Sequence, residues 1–197
     1  MIVKNSQWYW AAELPDKVCD AIIEEGELAT KETAKVAGKQ VREDIRKSDV
    51  SWIQPLWLRN LLWSYTMQAN LEAGWNFKIS RFETFQYTTY RAPGGHYDWH
   101  IDNAFPYKDG PNKGLIRKLS LTIQLSDPED YEGGMFEQRI LRKNDEGDLN
   151  AITNSLESIK PRGSLLVFPG FVYHRVMPVT KGTRHSLVAW AVGTPFE

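Results

Sequence analysis

The sequence contains only one cysteine and has almost no net charge, and each of these two properties excludes a class of protein. Cys19 cannot form an intramolecular disulfide bond by itself, so we expect a protein of the reducing cytoplasm. The 24 basic side chains nearly balance the 25 acidic ones, which leaves a formal charge of -1. Because a phosphate-binding surface needs an excess of positive charge, we do not expect nucleic acid as a partner.

Long apolar runs, internal repeats and low-complexity segments are missing as well. No segment approaches the ~18 consecutive apolar residues of a membrane span, so we expect no membrane partner. Residues 1–10 lack the basic and then apolar pattern of an export signal, which agrees with a cytoplasmic protein. Eight tryptophans and an apolar content of 42% within 197 residues predict, in contrast, one globular domain with a sizeable core.

The first third of the chain has the periodicity of helices. Apolar residues at helical spacing predict one helix that begins at Pro15 and ends at Gly26, and a second over 54–73. We therefore expect residues 1–76 to form a helical support region for a core that comprises residues 77–197. Together they would make a single domain over 1–197.

The remainder of the chain has the alternation of strands. Short segments rich in Val, Ile, Phe, Tyr and Thr are separated by Gly and Pro turns. We predict strands over 77–90, 96–102, 119–125, 134–138, 164–168, 172–177 and 183–192. The fold class this predicts is α+β but mainly β, with a double-stranded β-helix (jelly-roll) core and N-terminal supporting helices.

Three connections join the predicted strands of this half. We predict a turn over 178–182, after which the chain runs back beside the preceding strand. Two polar segments of about fifteen residues, 103–117 and 139–153, are predicted to be loops. The first directly follows a cluster of polar ligands, so we expect it to act as a mobile lid.

That cluster contains four metal-ligand side chains at alternate positions: His96, Asp98, His100 and Asp102. On a strand all four would point to one face. Two histidines and one carboxylate on one side of an octahedron are the ligand set of non-haem iron(II). Either His-x-Asp pair could supply two of these ligands, and His174, on a later strand, is the candidate for the third.

Arg184 follows His174 by ten residues. A guanidinium forms paired hydrogen bonds with a carboxylate, so Arg184 suits a dicarboxylate co-substrate whose other end binds the metal. A surface ion pair for Arg184 and a structural role for His174 are the simpler alternatives. We interpret His185 as outward and structural, Trp99 as a core residue, and Trp190 as either a pocket wall or core.

The whole pattern resembles the iron(II)/2-oxoglutarate-dependent dioxygenases, specifically the prolyl 4-hydroxylase-like branch. The resemblance covers about 77–192 and is carried by Tyr90, Tyr97, His100, Asp102, the segments 163–169 and 174–182, Arg184 and Trp190. This family places tyrosines ten and three residues before its first ligand. Tyr90 and Tyr97 have this spacing to His100, which selects His100 over His96.

The resemblance implies cofactors and site residues. Fe(2+) would be held by His100, Asp102 and His174. The co-substrate 2-oxoglutarate would pair its 5-carboxylate with Arg184 and accept a hydrogen bond from Tyr90, with ascorbate as reductant. Relatives often place a tyrosine or threonine on the third core strand near this carboxylate, and here that position is Gln124.

The reaction implied by the resemblance is hydroxylation of an unactivated C-H bond with dioxygen, with release of succinate and CO2. The expected substrate is a prolyl residue in a peptide or protein. Three alternatives stay open: a small molecule such as a free amino acid, metabolite or nucleobase; a non-catalytic metal-containing jelly roll; and a nucleic-acid demethylase. The last would need several basic residues to cluster, the candidates being Arg117, Lys118, Arg139, Arg142 and Lys143.

Overall fold

The computed structural model of the chain describes residues 9–36, 40–103 and 105–195. Two α-helices lie in the first part of the chain, α1 (Asp16–Leu28) and α2 (Leu56–Glu72). The strands are β1 (Tyr9–Glu13), β2 (Lys31–Thr33), β3 (Arg46–Lys47), β4 (Asp49–Ile53), β5 (Arg81–Phe82), β6 (Phe85–Arg91), β7 (Gly95–His100), β8 (Ile116–Gln124), β9 (Tyr131–Gly133), β10 (Phe136–Lys143), β11 (Leu149–Ser155), β12 (Ser164–Pro169) and β13 (His174–Gly193). A short 3-10 helix covers Glu157–Ile159.

The strands form two antiparallel layers that share β13. The larger layer has the order β1-β12-β8-β13-β6-β4-β2. In the smaller layer, the first part of β13 pairs with β7, β9 and β10, and β3 and β11 complete its edges. This mainly β architecture with helices against one layer confirms the predicted jelly-roll fold class.

A shared corner connects the two layers. β13 pairs with β6 from Thr183 to Val188 and with β7 from His174 to Val179, so the β6–β7 hairpin lies along one continuous strand. The predicted turn over 178–182 with a returning strand is therefore wrong. Gly182, with φ of 70°, lies between these two paired segments, and β13 continues from one layer into the other.

Alternation on β8 separates two hydrophobic cores. Leu119, Leu121, Ile123 and Leu125 face the helices, where they pack with residues such as Ile22 of α1 and Leu62 of α2. The alternate residues Ser120, Thr122 and Gln124 belong to the opposite face, as the pattern predicted. The second core lies between the layers and includes Tyr90, Phe136, Phe168 and Val176. It forms the surroundings of the candidate site.

The N-terminal third is only partly helical, which corrects the prediction for residues 1–76. Four of the strands, β1 to β4, belong to this region, and β4 pairs with β6 in the larger layer. The first helix continues past Gly26 to Leu28. This glycine lies against the Tyr87 ring, where a side chain would not fit, and it does not end the helix. No helix among the described residues is long and apolar enough to cross a membrane.

The two segments predicted as loops differ in structure. Most of 139–153 is a β-hairpin, with β10 and β11 paired from Glu137–Ser155 to Lys143–Leu149, so the loop prediction is wrong there. The segment 103–117 is irregular up to the start of β8, and residue 104 lies outside the described residues. Tyr107 donates a hydrogen bond to Glu83 (2.7 Å) and so attaches this segment to the strand layer. Its action as a lid stays a prediction.

Candidate metal and co-substrate site

Three ligand side chains meet where β7 ends and β13 begins. His100 is the last residue of β7 and pairs directly with His174, the first residue of β13. Nε2 of His100 lies 3.8 Å from one Asp102 oxygen, and Nε2 of His174 lies 3.6 Å from the other. The ligand atoms of the three residues lie within 4.8 Å of one another. This spacing fits one metal ion between them.

Hydrogen bonds hold each ligand in a metal-binding orientation. Nδ1 of His100 donates to the carbonyl of Asp98 (2.7 Å), and Nδ1 of His174 donates to that of Val172 (2.8 Å). Because a carbonyl can only accept, the protons lie on Nδ1 and the Nε2 lone pairs are left for a metal. Ser120 donates to Asp102 (2.6 Å) and fixes the carboxylate.

The charge state of this cluster also fits a cation. Burial and the neighbouring His174 lower the pKa of His100 well below its ordinary value. Burial alone would raise the pKa of Asp102, but the two imidazoles, Arg117 and the Ser120 hydrogen bond outweigh it and lower the pKa. An ionised Asp102 and a neutral His100 are in the protonation states that metal ligation requires.

A bulge in β7 decides between the two His-x-Asp pairs. The β7–β13 register shifts between His174 and Val176, which pairs with Tyr97. The shift brings Tyr97 to the side of His100, and their rings stack with centroids 3.6 Å apart. The prediction that His96 and Asp98 share this face is therefore wrong. Asp98 is exposed, and its carboxylate accepts a hydrogen bond from the Trp99 amide, at 2.7 Å.

The ligands line a pocket between the two layers. Its lining includes Tyr90, Tyr97, Phe136, Arg184 and Trp190. Arg184 is 3% exposed, and its Nε and Nη1 have no hydrogen-bond partner among the described residues. Buried charged donors that lack partners are costly, so these two nitrogens indicate an anionic ligand. The pocket thus combines three metal-ligand side chains with donors for an anionic group.

A smaller cavity adjoins Arg184 and contains Gln124. Its Nε2 donates to the hydroxyl of Tyr131 (2.8 Å), and both side chains line this cavity together with Arg184. Sequence reasoning identified Gln124 but missed Tyr131. The sequence offers one indication, the position of Tyr131 shortly before Gly133 and Gly134. The short β9 pattern does not show whether the Tyr131 side chain packs in the core or binds through its hydroxyl.

Other predicted residues lie away from the ligands. His185 contacts the Tyr87 hydroxyl (2.7 Å) on the helix side of the sheet, in agreement with a structural role. Trp99 is not a core residue: it stacks on Tyr173 and lies under Arg139 and Arg175 near the surface.

The five basic residues considered for nucleic acid do not form one surface. Arg117 makes two hydrogen bonds to Glu83 (2.9 and 2.8 Å) and stacks on the Trp190 ring, and Lys118 is 3% exposed. The other three lie on the exposed strand β10. The charge of Arg117 is thus neutralised within the protein and is not displayed to a phosphate backbone.

Comparison with protein families places this geometry among known enzymes. A family model described as the 2OG-Fe(II) oxygenase superfamily matches residues 85–192. A PKHD-type hydroxylase of Pseudomonas fluorescens is 38% identical over 98 residues, which are 49% of this chain and 38% of that protein. A PKHD-type hydroxylase of Xanthomonas axonopodis pv. citri is 35% identical over 105 residues, 51% of this chain and 41% of that one. The matches thus span about two fifths of these relatives.

Solved structures share the fold over nearly the whole chain. A prolyl-4-hydroxylase of Pseudomonas putida superposes with a TM-score of 0.68 at 22% identity and covers 96% of this chain and 94% of its own. A prolyl hydroxylase from Trichoplax adhaerens, in complex with a hypoxia inducible factor peptide fragment, has a TM-score of 0.68 at 18% identity, with 96% and 84% covered. At these identities the likeness is one of architecture.

Proposed function

Since the chain belongs to the 2OG-Fe(II) oxygenase superfamily, we propose that it hydroxylates a C-H bond of a peptide or small-molecule substrate and releases succinate and CO2. The observation that carries this proposal is the joint placement of His100, Asp102, His174 and Arg184 in one pocket, with Nε and Nη1 of Arg184 lacking partners among the described residues. A structural metal site would need the three ligands but would have no use for a buried guanidinium beside them.

Each residue of the site has a distinct task in this proposal. His100, Asp102 and His174 would hold Fe(2+), Arg184 would pair with the 5-carboxylate of 2-oxoglutarate, and Tyr90 would donate a hydrogen bond to this co-substrate. Gln124 lies in the smaller cavity beside Arg184. When bound, the metal would activate dioxygen, which is the oxidant, and 2-oxoglutarate would supply two electrons as it is converted to succinate and CO2. Asp102 supplies negative charge that partly offsets the cation, and Ser120 keeps that carboxylate in place.

The substrate that we favour is a prolyl residue in a peptide or protein. Tyr97 and Trp190 give the pocket aromatic walls beside the ligands, which suits a small apolar ring. The relatives are named hydroxylases, and the structural neighbours include prolyl hydroxylases, one of them with a bound peptide fragment. We also propose ascorbate as reductant and a cytoplasmic location, to which the single buried Cys19 is suited.

Turnover of a defined substrate set tests this function. We would load the protein with Fe(2+) under anaerobic conditions, add 2-oxoglutarate and dioxygen, and search by mass spectrometry for succinate and a +16 product among proline-containing peptides and small metabolites. Asp102→Ala should abolish both products because one of three ligands and the charge of the site are lost. Asp98→Ala is the matched control, since this exposed carboxylate lies on β7, four residues before Asp102, and it should keep most of the activity.

The outcomes separate the alternatives. If only small metabolites give a +16 product, the proposed peptide substrate is rejected and the proposed hydroxylation reaction is retained. Absence of succinate under all conditions, with the metal bound, would reject catalysis in favour of a binding module. Equal activity of Asp102→Ala and the unaltered protein would reject the assigned site.

A further inference from the structure

Polar side chains of three buried residues line the smaller cavity. Gln124, Tyr131 and Arg184 are only 3%, 5% and 3% exposed. Buried polar atoms normally have hydrogen-bond partners. Here Oε1 of Gln124 and Nε and Nη1 of Arg184 have none among the described residues, so the cavity retains unused hydrogen-bonding capacity.

The hydrogen bonds of Gln124 show whether the Tyr131 hydroxyl acts as an acceptor or as a donor toward this amide. Nε2 of Gln124 donates to the Tyr131 hydroxyl (2.8 Å) and also to the carbonyl of Ser126 (3.4 Å). Both amide hydrogens are then used, and the amide orientation is set. Because the hydroxyl of Tyr131 accepts from Gln124, its own proton is left to donate to a ligand.

The local backbone brings Tyr131 and Arg184 together. Gly134 has a φ of 61°, and a Cβ there would lie 2.8 Å from Cδ of Arg184 and 3.2 Å from the Tyr131 ring. Only glycine therefore leaves room for both side chains. Burial raises the pKa of Tyr131, while the charge of Arg184 and its hydrogen bond act in the opposite direction, so the hydroxyl keeps its proton at neutral pH.

We propose that Tyr131 binds the 5-carboxylate of 2-oxoglutarate by donating its hydroxyl proton beside Arg184, and that Gln124 is the positioning residue for Tyr131. This inference rests on the proposed function. A carboxylate has about four acceptor positions, and Arg184 with Tyr131 would fill three of them. The hydroxyl that the family resemblance places on the third core strand, where Gln124 stands, would thus be supplied from β9.

Direct binding measurements test this role without turnover. We would measure the Kd of 2-oxoglutarate by calorimetry on the full chain loaded with Mn²⁺, and repeat the titration with 2-oxopentanoate, which has a methyl group in place of the 5-carboxylate. Tyr131→Phe should weaken 2-oxoglutarate about tenfold, as expected for a hydrogen bond to a charged group. It should change the Kd of 2-oxopentanoate less than about twofold, because that ligand makes no such bond.

Two further variants complete the design. Tyr65→Phe removes a tyrosine hydroxyl on α2, outside both cavities, and should leave both Kd values unchanged. As a single substitution, Gln124→Leu should weaken the binding of 2-oxoglutarate. Combined with Tyr131→Phe it should weaken binding little further, since Gln124 acts through the Tyr131 hydroxyl.

Each result is decisive. If the unaltered protein does not bind 2-oxoglutarate, the proposed function fails and this inference fails with it. If it binds and Tyr131→Phe binds equally well, only the role of Tyr131 is rejected. If Tyr131→Phe weakens the binding of both ligands equally, the role of Tyr131 is also rejected, because equal weakening indicates a general structural defect.

Discussion

At the residue scale, the site depends on which side of β7 each side chain occupies. Strict alternation groups His96, Asp98 and His100, whereas the bulge groups Tyr97 with His100. A one-residue shift of register moves every following side chain to the other face. Alternation in the sequence could therefore locate the cluster but could not divide it into ligands and bystanders, and only the tyrosine spacing of the family resemblance selected His100.

Two alanine substitutions test this division. His100→Ala should lower the affinity for Fe(2+) or Co²⁺ by tenfold or more, because an Nε2 ligand is lost. His96→Ala should leave it within about twofold, since Nδ1 of His96 already donates to the Gly94 carbonyl (2.7 Å) outside the ligand cluster. Titration of the metal into each protein gives the comparison. A reversed order of the two variants would show that the ligand register assigned here is wrong.

At the element scale, local patterns predicted the type of most elements but not how they continue. Alternation over 119–125 correctly indicated β8, and the helical periodicity of the first third correctly indicated both helices. Glycine was misleading in two places. Gly26 suggested the end of a helix, but a glycine is required there because the Tyr87 ring leaves no room for a side chain. Gly182 suggested a chain reversal, but it lies where β13 passes from one layer to the other.

Gly26→Ala tests whether this contact sets the distance between α1 and β6. The added methyl group would overlap the Tyr87 ring. Overpacking of this kind costs about 1–3 kcal/mol, against which alanine gains about 1 kcal/mol in helix propensity. We expect a net loss in the free energy of unfolding, measured by urea denaturation. Glu24→Ala, at an exposed position of the same helix, is the control, and a stabilised Gly26→Ala would contradict the contact.

At the scale of the whole molecule, a polar network joins the helical side to the shared strand β13. The Tyr87 hydroxyl donates to Glu27 of α1 (3.0 Å) and lies 2.7 Å from Nδ1 of His185 on β13. Burial lowers the pKa of His185 from its ordinary value of 6.5, with help from Arg91 and against the charge of Glu27. The folded protein therefore holds His185 in the neutral form.

This network makes stability depend on pH in a defined direction. A histidine whose pKa is lower in the folded than in the unfolded state contributes its full stability above pH 6.5, and that contribution is lost as the pH falls below this value. The Tm of the metal-free protein should therefore fall between pH 7.5 and 5.5, and His185→Gln should reduce this fall. Both proteins retain His100 and His174, so the difference between them reports His185. An equal fall in both would show that His185 is not the responsible group.

The sequence by itself determined the fold class, the polar and apolar faces of β8, and the short set of ligand candidates, because side-chain alternation and residue chemistry are local properties. Only the tertiary structure decided which candidates meet. The bulge in β7, the continuation of β13 around the corner and the approach of Tyr131 from β9 all depend on pairing between strands distant in sequence. Register between such strands is set by the packing of both layers, and no local pattern in the chain encodes it.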